Sequence, residues 1–75
     1  MAMRWFIPED SSAVQRAGYD ETRRELQIVY KGGGRYAYED VPALVFEALK
    51  QAPSPGGFVN LVVKPLFRHR LLTHA

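Results

Sequence analysis

Three consecutive glycines, Gly32-Gly33-Gly34, stand between two short runs whose apolar residues recur at every second position. Upstream, Leu26, Ile28 and Tyr30 alternate with Gln27, Val29 and Lys31; downstream, Tyr36 and Tyr38 alternate with Arg35, Ala37 and Glu39. A period of two marks a strand with one buried face, and glycine reaches the positive φ angles that a tight reversal demands. The stretch predicts an antiparallel hairpin with both tyrosines on the face of Leu26 and Ile28. Ahead of it, residues 12–20 carry Val14, Ala17 and Tyr19, a series whose phase slips between positions 14 and 17 as a bulged strand would. The polar run Asp20-Glu21-Thr22-Arg23-Arg24 separates that first strand from the second.

After Glu39 the period lengthens. Val41, Leu44, Val45, Ala48, Leu49 and Ala52 form a helical stripe, from which Phe46 falls away. Asp40 is the expected cap, Pro42 suits the first turn, and Pro53 stops the helix. Ser54-Pro55 repeats the cap-then-proline signal and opens a second helix with Phe58, Leu61 and Val62 expected inward. Pro65 ends or kinks it near Val63. The reading is an α+β fold: a three-stranded antiparallel β-meander followed by two short helices packed on one face, in the order β-β-β-α-α. Residues 1–10 are expected to form an N-terminal extension, 11–72 a single domain, and 73–75 a frayed tail.

A chain of 75 residues holds one thin core, which disfavours a large catalytic cleft. It has no cysteine, so disulfides and thiolate metal sites are excluded, and a reducing, cytoplasmic setting is expected. The apolar runs Trp5-Phe6-Ile7 and Leu61-Val62-Val63 are far short of the ~20 residues of a membrane helix, and Pro8-Glu9-Asp10 breaks any signal-peptide pattern. No membrane partner is expected. Net charge is +2, unevenly spread. All eight acids lie at or before Glu47, while Lys50, Lys64, Arg68 and Arg70 follow with none among them. A basic C-terminal third suits a polyanion, or is a solvated face.

Several constellations carry two readings. Tyr36 and Tyr38 share a strand face, as base-stacking platforms do and as a core stripe does. Lys64, Arg68 and Arg70, with Phe67 nearby and Asn60 one turn before Lys64, make a phosphate-contacting edge or a solvated helix end. Gly32-Gly33-Gly34-Arg35 fits a hairpin better than a phosphate loop, because a strand follows it where a helix is needed. His69 and His74 lack an acid or thiol neighbour, so no metal site is expected. Ser11, Ser12 and Ser54 have no base tied to them, and the adjacent carboxylates Glu9-Asp10 and Glu39-Asp40 diverge. No catalytic residue, cofactor or metal is implied.

Taken in order, Ser11-Ser12, Gly18-Tyr19-Asp20, Leu26-x-Ile28-x-Tyr30, Gly34-x-Tyr36-x-Tyr38, Val41-Pro42, Ser54-x-x-Gly57-x-x-Asn60 and Val63-Lys64-x-x-Phe67 resemble the KTSC domain. The resemblance covers roughly residues 11–71. That family is named for a short domain at the C-terminus of some lysyl-tRNA synthetases, found also as stand-alone bacterial proteins, with a central Tyr-x-Tyr motif. Its function is unassigned and RNA binding is suggested for it. Carried over, the resemblance singles out Ser12, Gly18, Tyr19, Asp20, Tyr36, Tyr38, Ser54, Gly57, Asn60 and Lys64, with no catalytic role for any. The chain departs from the family pattern at Val59, Pro65, Arg68 and His69.

The expected function is therefore a small non-catalytic binding domain with RNA or tRNA as partner, using Tyr36, Tyr38, Asn60, Lys64, Arg68 and Arg70. The alternative is a protein-interaction module that uses the open sheet face, an edge strand or Trp5-Phe6-Ile7.

Overall fold

The computed structural model describes residues 3–9 and 11–73. The chain forms one antiparallel sheet of five strands in sequential order: β1 (Arg4–Phe6), β2 (Val14–Asp20), β3 (Glu25–Tyr30), β4 (Arg35–Tyr38) and β5 (His69–Thr73). The alternation predicts three strands, and the described residues contain five. The central three are those read from the alternation; the outer two were missed for different reasons. β1 has only three residues, too few to display a period, and pairs Trp5 with Gly18 and Phe6 with Ala17. β5 is exposed along its whole length, so no alternation of apolar and polar residues is imposed on it.

Local chemistry sets the connections. The register of β2 against β3 shifts between Val14 and Arg16, which is the anticipated bulge. Asp20 Oδ1 accepts from the amides of Thr22 and Arg23 at 3.0 and 3.2 Å, folding the polar break into a turn. In the hairpin Gly33 and Gly34 take φ values of 112° and 92°, and the Tyr30 amide donates to the Gly34 carbonyl at 3.0 Å.

Helix α1 (Ala43–Gln51) starts later than the stripe implied. Val41 is buried ahead of the helix, with its amide donating to the Arg24 carbonyl, and Pro42 in extended geometry occupies the cap position. Asp40 is not the cap; it takes a positive φ of 55°. Because Val41 lies outside the helix, counting the period from it displaces the phase. The buried positions are Phe46 and Leu49, whereas Leu44 and Ala48 are exposed. Phe46 is thus a core residue, stacked on Tyr19 at 5.4 Å between ring centroids and 15° between planes.

The second helix opens as expected: Ser54 Oγ accepts from the Gly57 amide at 3.2 Å and Pro55 follows. It runs as α2 (Pro55–Phe58), widens into a π-helical segment (Val59–Val63) and closes with α3 (Lys64–Leu66). The Lys64 amide donates to the Val59 carbonyl, a spacing of five, just before Pro65 withdraws a donor. The wider turn carries the helix past the expected break and alters its phase. Val59 and Val63 face the core, while Leu61, expected inward, is 80% exposed.

The helices cover one sheet face. Val14, Ala17, Tyr19, Leu26, Ile28 and Tyr38 meet Val41, Phe46, Leu49, Val59 and Val63, with Tyr30, Tyr36 and Phe6 at the margin. Tyr19 donates from its hydroxyl to the Val41 carbonyl at 2.5 Å, satisfying the one polar atom this ring brings into the core. Thr73 pairs with Arg35 in β5; His74 and Ala75 lie outside the described residues, as do Met1, Ala2 and Asp10.

Candidate functional site

The tyrosines of the hairpin open onto a cleft. Tyr30 comes from β3, Gly33 from the turn, Tyr36 and Tyr38 from β4, Lys64 from the end of the second helix and His69 from the start of β5; together they line a volume of about 360 Å³. The ladder places them. Ile28 pairs with Tyr36 and Leu26 with Tyr38, so three tyrosines project on the helix side, and Tyr38 pairs with His69 across the next strand.

Within the cleft the rings contact one another. Tyr30 meets Tyr36 edge to face at 5.7 Å, and His69 lies 5.8 Å from Tyr36 and 5.3 Å from Tyr38. The Tyr30 and Tyr38 hydroxyls are hydrogen-bonded at 3.3 Å. Burial pushes the Tyr30 phenol well above its usual ionisation range, and its bond to Tyr38 adds to this. Burial also raises Tyr38, while the bond from Tyr30 pulls the other way. The Lys64 ammonium stands 5.6 Å from the centre of the Tyr30 ring. Among the described residues no acidic side chain lines the cleft. Sequence reasoning left Tyr30, Gly33 and His69 outside the site, although the alternation already put Tyr30 on the face of Tyr36 and Tyr38.

The structure thus joins Tyr36, Tyr38 and Lys64. Tyr38 is only 1% exposed and serves the core as much as the cleft, whereas Tyr36 is half-buried. Asn60 lies instead in a neighbouring cleft of about 480 Å³, lined by Ser11, Ser12, Ser54, Gly57 and adjoining residues. Two of its serines already serve the backbone: Ser11 Oγ accepts from the Val14 amide at 2.9 Å and Ser54 caps its helix. Arg68 is exposed, and its carbonyl accepts from the Glu39 amide. Arg70 is placed elsewhere. It pairs with Ala37 on the opposite sheet face, where its guanidinium bridges Glu25 and Glu39 at 3.0 Å each. Those two hydrogen bonds raise its basicity and occupy it.

Gly18, Tyr19 and Asp20 have structural places. A Cβ on Gly18 would stand 2.7 Å from the Trp5 ring, Tyr19 is core, and Asp20 holds its turn. On that open face Trp5 is 42% exposed, with the guanidiniums of Arg16 and Arg35 at 4.8 and 5.7 Å from its ring. Among the described residues no group of three or more His, Cys, Asp or Glu side chains is placed to hold a metal, and no helix is long and apolar enough to cross a membrane. Of the two histidines, His69 lies in β5 and His74 falls outside the described residues.

The family model of the KTSC domain matches residues 10–67. A protein of Tsukamurella paurometabola is 48% identical over 61 residues, covering 81% of this chain and 91% of that protein. The crystal structure of a KTSC domain protein from Yersinia pestis matches with a TM-score of 0.86 at 34% identity, covering 95% of this chain and 99% of that one. A lysine–tRNA ligase of Nostoc punctiforme is 30% identical over 67 residues, which span 89% of this chain but 12% of that enzyme.

Proposed function

The chain belongs to the KTSC domain family, and from that premise we propose that it is a small non-catalytic domain that binds single-stranded RNA through the cleft of Tyr30, Tyr36, Tyr38, Lys64 and His69. The observation that carries the reading is a wall of aromatic rings flanked by an ammonium group with no acid among the lining residues. Unstacked bases gain ~1–3 kcal/mol each from aromatic faces, and cations beside them neutralise phosphates. Tyr36 supplies the half-buried ring and Lys64 the first phosphate contact, and Arg68, exposed outside the cleft lining, is the proposed second contact. The likeness to a stretch of a lysine–tRNA ligase supports an RNA partner, with tRNA as one candidate.

Fluorescence anisotropy with a short single-stranded RNA and with bulk tRNA tests this at low salt, where the electrostatic contribution is largest. Binding should weaken steeply as salt rises, and Lys64→Ala should weaken it roughly tenfold, or ~1.4 kcal/mol. Absence of binding to either RNA at low salt overturns the proposal.

A protein-interaction module is the second reading, favoured by an apolar cleft of about 300 Å³ lined by Ala52, Pro53, Phe58, Leu61 and Val62. Leu44, Leu61 and Leu66 are each at least 70% exposed on the helical layer. Trp5 and Phe6 belong to β1, and Phe6 packs on the core, so truncating this segment removes a strand as well as a docking candidate. Leu61→Asp is the cleaner test: it should abolish partner capture and leave the thermal transition in place.

A further inference from the structure

Resting on the reading of the tyrosine cleft as an RNA site, we propose that this cleft receives the phosphorylated end of a strand, with the terminal base against Tyr36 and His69 and the terminal phosphate monoester held by Lys64 and the tyrosine hydroxyls.

Size is the first support. A volume of about 360 Å³ lies at the lower end of the ~300–1,000 Å³ common for small-molecule sites and suits one nucleotide. Donor chemistry is the second. Every polar side chain lining the cleft is of a type that can donate a hydrogen: three phenols, an ammonium and an imidazole. The bond between Tyr30 and Tyr38 consumes one phenolic hydrogen and leaves the other two. Phenols are protonated at neutral pH, and burial moves Tyr30 and Tyr38 further from ionisation, so both meet an anion in the neutral form. Among the described residues neither carboxylate nor carboxamide lines the cleft to compete.

Charge is the third. Arg4, Lys50 and Arg70 are each bound to a carboxylate. Lys64, like Arg16, Arg35 and Arg68, has no acid partner among the described residues; what sets it apart is its place in the cleft lining, beside the Tyr30 ring. A terminal monoester carries about −1.5 to −2 charges and three free oxygens near neutral pH, against one charge and two free oxygens for an internal diester. A compact set of donors around one ammonium favours the former. The two ends of a strand offer the same chemistry, and the cleft takes whichever carries the monoester.

The test compares one short single-stranded RNA in three forms: 5′-phosphorylated, 3′-phosphorylated and hydroxylated at both ends. Binding is followed by anisotropy with the label placed internally. At least one phosphorylated form should bind about tenfold more tightly than the hydroxylated form. That preference should vanish in Lys64→Ala, fall severalfold in Tyr36→Phe, which keeps the ring, and persist in Arg23→Gln on the distant turn. Thermal unfolding verifies that each variant is folded. Equal binding of all three forms overturns this inference and leaves the RNA reading standing. A preference that survives Lys64→Ala also overturns it, since the monoester then sits elsewhere. If none of the three forms binds, the RNA reading itself fails and takes the inference with it.

Discussion

The hydroxyls of Tyr30 and Tyr38 meet at 3.3 Å where the core gives way to the cleft. Tyr38 belongs to the buried cluster and Tyr30 packs at its margin, so this contact ties the sheet's packing to the chemistry of the candidate site. The same two rings therefore report on stability and on ligand binding.

Alkaline pH should destabilise the fold. An unfolded tyrosine ionises near pH 10, whereas burial raises Tyr19, Tyr30 and Tyr38 above that value in the folded chain. Their contribution is complete below about pH 10 and is lost as pH rises through the folded values, because only the unfolded state releases the protons easily. The urea midpoint should stay level up to about pH 9.5 and fall beyond it. The double variant Tyr30→Phe and Tyr38→Phe should show a shallower fall, with Tyr19 accounting for the remainder.

Gly18→Ala should lift the indole of Trp5. The added methyl carbon would lie 2.7 Å from Trp5 Cε3 and Cζ3 and 2.8 Å from Met3 Cε. Both neighbours are side chains at the sheet edge and can give way, so the cost should be ~1 kcal/mol, at the low end for overpacking. Red-shifted, more quenchable tryptophan emission with a slightly lowered melting temperature is the expected result.

Phe46 and Leu44 should differ sharply although they sit two residues apart. Phe46→Ala removes a ring stacked on Tyr19 in the core and should cost ~3–5 kcal/mol. Leu44 is 78% exposed, so Leu44→Ala should stay within ~0.5 kcal/mol. Chemical denaturation of the two variants checks both.

That pair also shows where sequence reading stopped. Strong alternation around Gly32-Gly33-Gly34 identified the hairpin, its buried face and the shared orientation of Tyr30, Tyr36 and Tyr38, because a period of two admits only one face. The helical stripe placed Val41, Val45 and Leu49 against the core but missed Phe46 and turned Leu44 and Ala48 inward, because Val41 is buried from the segment ahead of α1, where Pro42 is extended, and a period carries no mark of where the helix begins. The π-helical segment misled the reading of Leu61 in the same way, by changing the residue spacing within a helix. His69 entered the cleft only through β5, whose exposed residues follow no period. Arg70, grouped with Lys64 by charge and nearness in sequence, faces the other side of the sheet, since neighbouring strand residues alternate.

Arg70 and Lys64 should consequently separate by experiment. Arg70→Ala frees Glu25 and Glu39 and should loosen β5, seen as faster amide exchange in β4 and β5 with little change in RNA affinity. Lys64→Ala should leave exchange rates unchanged and weaken RNA binding. The reverse pattern would move the phosphate contact to the open face.

Titrating isotopically labelled protein with a short single-stranded RNA at low and then moderate salt, and following the amide shifts by NMR, locates the RNA site residue by residue. If RNA enters the tyrosine cleft, Tyr30, Gly33, Tyr36, Tyr38, Lys64 and His69 shift together and their response weakens steeply with salt. Shifts confined to Trp5, Arg16 and Arg35 on the open face, or no shifts at all, would contradict that reading of the cleft.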